Sequence, residues 1–179
     1  MSARIILWSA IIMAAVCGTP LMADSVLDDV QVVFGPRVGF SYVFMESEAF
    51  TNSINEIPWY NGESYFPFTS QFGISIEQRI PLGTTKSHFA FQEVITVGGI
   101  DQSIALPTAA VLVGWRADFG LECGIGPMWS LSGFGVIYAA GWTFSYHGVY
   151  VPVNVVFVPD FSSGNHSVSI YTGFNFTID

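Results

Sequence analysis

Phe119-Gly120-Leu121-Glu122-Cys123-Gly124-Ile125-Gly126-Pro127-Met128-Trp129-Ser130-Leu131 falls into two sets by parity. The odd positions carry Phe119, Leu121, Cys123, Ile125, Pro127, Trp129 and Leu131, and the even ones Gly120, Glu122, Gly124, Gly126, Met128 and Ser130. A helix would mix these sets on every face, whereas a strand sends them to opposite sides. No charged residue lies between Glu122 and Asp160, so hydropathy alone suggests membrane helices there. The period of two and the recurrent Gly and Pro predict strands instead.

The same alternation extends in both directions. Toward the N-terminus, Val32, Phe34, Val38, Phe40, Tyr42 and Phe44 oppose Gly35, Arg37, Gly39 and Ser41. Phe66, Phe68, Phe72, Ile74, Ile76 and Ile80 oppose Thr69, Gln71, Gly73, Ser75, Glu77 and Arg79. From His88 to Val97 the pattern is weaker, because Glu93 falls among Phe89, Phe91, Ile95 and Val97. A β-bulge near Gln92 and Glu93 is the expected remedy. Ala109 to Trp115, Phe134 to Phe144, Val149 to Phe157 and Val168 to Phe176 complete a set of eight strands. Each has roughly ten residues, the length a tilted strand needs to cross a bilayer.

Size decides which face points outward. An eight-stranded barrel is only just wide enough for side chains to fill. The face bearing Phe, Trp, Tyr, Ile and Val is too bulky to fit inside, while the face rich in Gly, Ser, Thr and Ala fits a narrow lumen. The predicted fold is therefore a closed antiparallel eight-stranded up-and-down transmembrane β-barrel with an apolar exterior. Composition agrees, because only 11% of the 179 residues are charged while 51% are hydrophobic, too little charge to coat a soluble surface. Trp115, Phe119, Phe144 and Tyr146 group near one set of turns, and Phe66, Phe68, Trp129, Phe134 and Phe157 near the other. Two aromatic girdles of this kind mark the membrane boundaries.

Residues 1–23 read as a secretory signal peptide, with Arg4 in the n-region, an apolar stretch from Ile5 to Cys17, and cleavage after Ala23. Val16 before Cys17 is a poor match to a lipidation signal. Residues 24–179 then form the barrel, located in a bacterial outer membrane. Its cations are Arg37, Arg79, Lys86 and Arg116, and the chain carries 14 Asp and Glu. Such an acidic protein is not expected to bind nucleic acid. Cys123 has no second cysteine to pair with after cleavage.

Five ionisable residues share the lumen-facing parity, Arg37, Glu77, Arg79, Arg116 and Glu122, with Gln71 and Asn154 on the same face. In a narrow interior they must pair. Such a network plugs the barrel or forms a gate or proton path. The loops expected outside the cell are acidic, with Glu46, Glu48, Glu56, Glu63, Asp101 and Asp160 and no Lys or Arg. The long first loop interleaves its carboxylates with Trp59, Tyr60 and Tyr65. It reads as a solvated loop, as a contact surface for a basic host or matrix protein, or as a weak calcium site without regular ligand spacing. Asp160, His166, Ser167 and Ser169 cluster near the last outer loop, but no strained nucleophile turn surrounds either serine. His88 and His147 fall near the opposite turns and show no metal spacing with His166. No enzyme activity, metal or cofactor is expected.

The signal peptide, strand number, alternation and girdles together make residues 30–178 resemble the small eight-stranded outer-membrane barrels, the OmpX, OmpA-barrel and OmpW families. Those usually end in a terminal aromatic, and Ile178-Asp179 departs from that. The fold hosts adhesins, small-molecule channels and lipid-modifying enzymes. The resemblance therefore implies outer-membrane lipid as surroundings. It leaves two roles open, a surface-interaction or membrane-integrity protein and an OmpW-like channel for small hydrophobic molecules. Pro107, Pro127 and Pro152 within strands permit a side opening in the second case.

Overall fold

The computed structural model describes residues 30–44, 66–83, 86–131, 133–147, 149–159 and 166–178. The strands are β1 (Gln31–Val43), β2 (Phe68–Pro81), β3 (His88–Gly98), β4 (Leu106–Arg116), β5 (Leu121–Ser130), β6 (Gly133–Tyr146), β7 (Val149–Val158), β8 (Ser167–Gly173) and β9 (Phe176–Ile178). Every neighbouring pair is antiparallel, and β1 bonds both β2 and the β8–β9 line, so the sheet closes on itself. β8 and β9 keep one register against β1 and count as a single interrupted strand. The predicted eight-stranded up-and-down barrel is the fold. The signal-peptide reading and the first-loop residues Glu46, Glu48, Glu56, Trp59, Tyr60 and Glu63 lie outside the described residues.

The registers fix the shape. Val32 pairs with Gln78, Gln78 with Phe91, Phe91 with Val113 and Val113 with Ile125. Ile125 pairs with Tyr138, Tyr138 with Phe157, Phe157 with Val168 and Val168 with Tyr42. One circuit thus leaves β1 at Val32 and rejoins it ten residues on, the stagger that tilts strands by roughly 35–45° to the barrel axis. The connections after β2, β4 and β6 lie at the end of the barrel where β1 begins and β9 ends. The β4–β5 connection shows why its residues are there. Ala117 N–H donates to Leu121 O (2.8 Å) and Gly120 N–H to Ala117 O (3.1 Å), and Gly120 supplies the positive φ of 107° that the turn requires.

Most residues of the outward parity are apolar. Ile74 is 57% exposed, Ile125 48%, Phe40 55% and Phe134 80%. Phe40 stacks on Phe68 with ring centroids 5.2 Å apart, and Phe119 packs on Trp142 at 5.5 Å. The aromatic groups assigned to the two ends are exposed there as expected. Cys123 is an outward, exposed residue of β5.

The bulge expected near Gln92 and Glu93 does not exist. β3 runs in unbroken register against both neighbours, Glu93 opposite Ile76 and Val111. Gln92 is buried inside while Glu93 stays on the outer face. The ladder on two sides holds this strand straight, and one carboxyl is left among apolar neighbours.

Candidate functional site: the lumen and its two layers

Inward residues come from alternate positions of all eight strands, and close packing across a narrow interior brings distant strands within side-chain reach. Toward the end where β1 begins and β9 ends, Glu77 is the hub. Its Oε1 accepts from Arg79 Nε at 2.6 Å and its Oε2 from Arg116 at 2.6 Å. Arg116 Nε also lies 3.1 Å from Glu122 Oε2. Thr143 Oγ1 donates to the same Glu122 oxygen at 2.8 Å, and an Arg116 amino group donates to Gln92 Oε1 at 3.2 Å. Arg79 covers the ring of Tyr150 with its guanidinium carbon 4.6 Å from the centroid, a cation–π contact. Glu77 is 2% exposed, and its two partners are what make that burial tolerable.

Four of the five lumen charges foreseen in the sequence are therefore brought together. The fifth, Arg37, is 3% exposed but touches no carboxylate among the described residues. It donates to Pro36 O at 3.0 Å and to Asn175 Oδ1 at 2.7 Å. Of the two neutral residues read as nearby, Asn154 lines a water-sized cavity with Gln92, Leu112, Arg116 and Glu122, and its Oδ1 has no hydrogen-bond partner. Gln71 lies nearer the other end, opposite Gly39 and Gly98, away from the charged layer.

Above the ionic layer the lumen turns apolar. Ala110, Leu112, Ile137 and Val156 form a buried cluster, with Val94, Met128, Ala139, Val158 and Tyr171 packed on it. The sequence reading missed Leu112, Ile137 and Val156 as lumen residues. Each sits between two outward apolar neighbours, as Leu112 does between Val111 and Val113, and hydrophobic type masked the parity.

At the loop end, the 3-10 turn Ile100–Gln102 ties the β3–β4 connection to β2. Gln102 behaves like a strand residue, its amide donating to Phe66 O (2.9 Å) and Phe68 O (3.0 Å) while its Oε1 accepts from Phe66 N (2.8 Å). Asp101 Oδ1 accepts from Ser70 Oγ (2.6 Å), Ser70 N (3.0 Å) and Thr69 Oγ1 (3.3 Å). Partial burial pushes the Asp101 carboxyl up, but the hydrogen bonds from Ser70, its own backbone and Thr69 outweigh this and hold it below the usual carboxylate value. The calcium and host-contact readings of the first loop lie outside the described residues.

The rim residues considered for catalysis are described only in part. Ser169 points into the lumen and pairs with Ser41 Oγ. His166 packs by Phe157 at 6.1 Å between ring centroids, and Asp160 is outside the described residues. His88 and His147 lie at the opposite end from His166, His88 opening β3 and His147 in the turn after β6.

No family model matches the chain, and no curated protein matches it in sequence. Among solved structures it is similar to a de novo designed transmembrane β-barrel, at 10% identity over 83% of this chain and 95% of that one, with a TM-score of 0.44. It is also similar to Ail, the attachment invasion locus protein of Yersinia pestis, in complex with the heparin analogue sucrose octasulfate. That likeness is at 9% identity, with a TM-score of 0.47, over 83% of this chain and 97% of that one.

Proposed function

We propose that this protein is a bacterial outer-membrane β-barrel with a plugged interior, a non-catalytic anchor that presents its first loop to partners outside the cell. The observation that carries this reading is the girdle of exposed bulky residues around a filled lumen. Contiguous apolar surface on all sides is unstable in water and stable in hydrocarbon. Inside, salt bridges close one layer and packed aliphatic groups the next, leaving among the described residues a cavity of water size. The acidic outer loops favour a basic protein surface over a sulfated polyanion such as heparin. The membrane-integrity role is the same reading without a dedicated partner.

The test is refolding into lipid vesicles, followed by gel mobility with and without boiling. The barrel should resist SDS until heated and then shift. In planar bilayers it should show no steady conductance, and deleting residues 46–65 should abolish binding to host-cell or matrix proteins while leaving the heat shift intact. Folding in plain buffer without detergent would overturn the membrane reading. Steady conductance would overturn the plug.

A second reading, a conduit for small hydrophobic molecules, is favoured by the apolar layer together with breaks in the wall. The ladder between β4 and β5 skips Val111 and Leu112, opposite Pro127 and Gly126. Uptake of a small apolar dye into lipid-embedded barrels, unaffected by the loop deletion, would support the conduit over the anchor.

A further inference from the structure

Among the described residues, the wall of the barrel has one place where a strand loses its ladder on both sides at the same level. Against β1, pairing runs from Arg37–Gly173 to Val43–Ser167 and resumes at Phe34–Phe176, leaving Gly35 and Pro36 unmatched to Phe174 and Asn175. Against β7, pairing stops at Val153–Thr172 and resumes only as a bridge between Tyr150 and Asn175. The reason is chemical. Pro36 on one side and Pro152 on the other have no N–H to give. Phe174, between them, faces outward with 51% exposure.

Side chains inside the lumen span the β1 side of this gap. Arg37 holds Pro36 O with one amino group and Asn175 Oδ1 with the other. Ser41 pairs with Ser169 above it, and Gln31 Nε2 lies 3.5 Å from Thr177 Oγ1 below. All three pairs join the first strand to the last, across more than 120 residues of sequence. Gly173 makes the middle one workable, since a Cβ there would overlap the Pro36 carbonyl oxygen and stand 3.0 Å from an Arg37 amino nitrogen. A buried guanidinium spent on neutral acceptors, beside two carboxylates it does not touch, has this joint as its visible task.

We propose that the β1–β8 line is a separable joint in the barrel wall and that Arg37 is its latch, keeping shut a gap through which the lumen opens sideways to the surrounding apolar phase. The proposal rests on ring closure and on the two prolines. It needs lipid or detergent only as solvent, so a failure of the surface-anchor reading leaves it standing. Arg37 is a positioning residue here. Its charge is secondary to its fork, because a lysine cannot reach two acceptors on opposite sides of the gap with one planar group.

The experiment is amide hydrogen exchange on the full chain, purified from membranes and held in detergent. Arg37→Gln and Arg37→Lys are compared with wild type. Exchange at the Tyr150 and Asn175 amides, which form the lone bridge, should accelerate roughly tenfold or more on losing the charge-assisted bonds. Amides of β6 that face β5, such as Ile137 and Ala139, should not change. Acceleration spread evenly over all strands, none at Asn175, or wild-type rates in Arg37→Lys would overturn the latch.

A disulfide gives the second arm, in a Cys123→Ser background. Val38→Cys with Thr172→Cys crosses the joint, and Phe72→Cys with Val97→Cys crosses the complete β2–β3 ladder. Oxidising the first pair should return the Arg37→Gln rates to wild type, and the second should not. Equal rescue by both, or by neither, would overturn the proposal. If Arg37→Gln does not fold, the first pair is oxidised in the chain retaining Arg37. Slower Asn175 exchange then supports the joint, and unchanged exchange overturns it.

Discussion

The two layers of the lumen fill the same narrow space by opposite means. Near the end where β1 begins, Glu77 binds Arg79 and Arg116, and Arg116 binds Glu122. Nearer the loops, Ala110, Leu112, Ile137 and Val156 pack without a polar atom in their side chains. A paired charge stabilises only while its partner is present, so loss of one member leaves the others buried and unmatched. An aliphatic cluster loses stability in proportion to the volume removed, because no member depends on another for neutralisation. The ionic layer should therefore fail all at once and the apolar layer by degrees.

The sharpest way to break this contrast is Glu77→Gln, which keeps shape and removes the charge. It strips Arg79 of its only ion pair among the described residues and weakens Arg116. The expected loss is about 3–5 kcal/mol in denaturant unfolding from lipid vesicles. A loss below about 1 kcal/mol would mean that the layer is not coupled. Ile137→Ala should cost about 2–4 kcal/mol, with Ile137→Val near 1 kcal/mol, the graded series that an apolar layer predicts. Combining Glu77→Gln with Ile137→Val should then add to within about 0.5 kcal/mol, since the two layers share no bond between these residues. A larger coupling would merge them into one network.

The smallest effect lies outside both layers, at Asp101. Its carboxyl is held low in the folded state, so its contribution is present above the unfolded value near 4 and is lost as pH falls through the folded value. The stability difference between wild type and Asp101→Asn should hold steady at neutral pH and shrink below about pH 4. Parallel curves at every pH would remove the carboxylate from the account.

The outer face and the ionic layer were legible because they differ in chemistry from their neighbours in sequence. Glu122 stands out between Leu121 and Cys123, and Arg79 between Gln78 and Ile80. Leu112 and Val156 were hidden for the opposite reason, being apolar among apolar, so that only their parity assigned them inward. Pairing across the wall was the other blind spot. That Pro36 and Pro152 flank one stretch of β8, or that Arg79 meets Tyr150, depends on register between strands far apart in sequence. Alternation along a strand says nothing about register between strands. Glu93 taught a related lesson, since an odd residue in a pattern is not enough to shift a strand held by full ladders on both edges.

The ten-residue offset of the ring carries an evolutionary consequence. Ten is even, so inside and outside stay consistent all the way round. A single inserted or deleted residue in mid-strand would turn every side chain beyond it, driving Phe and Trp into a space that is already full. Length changes inside the strands of this protein's descendants should therefore come in twos, while the loops remain free to vary by one.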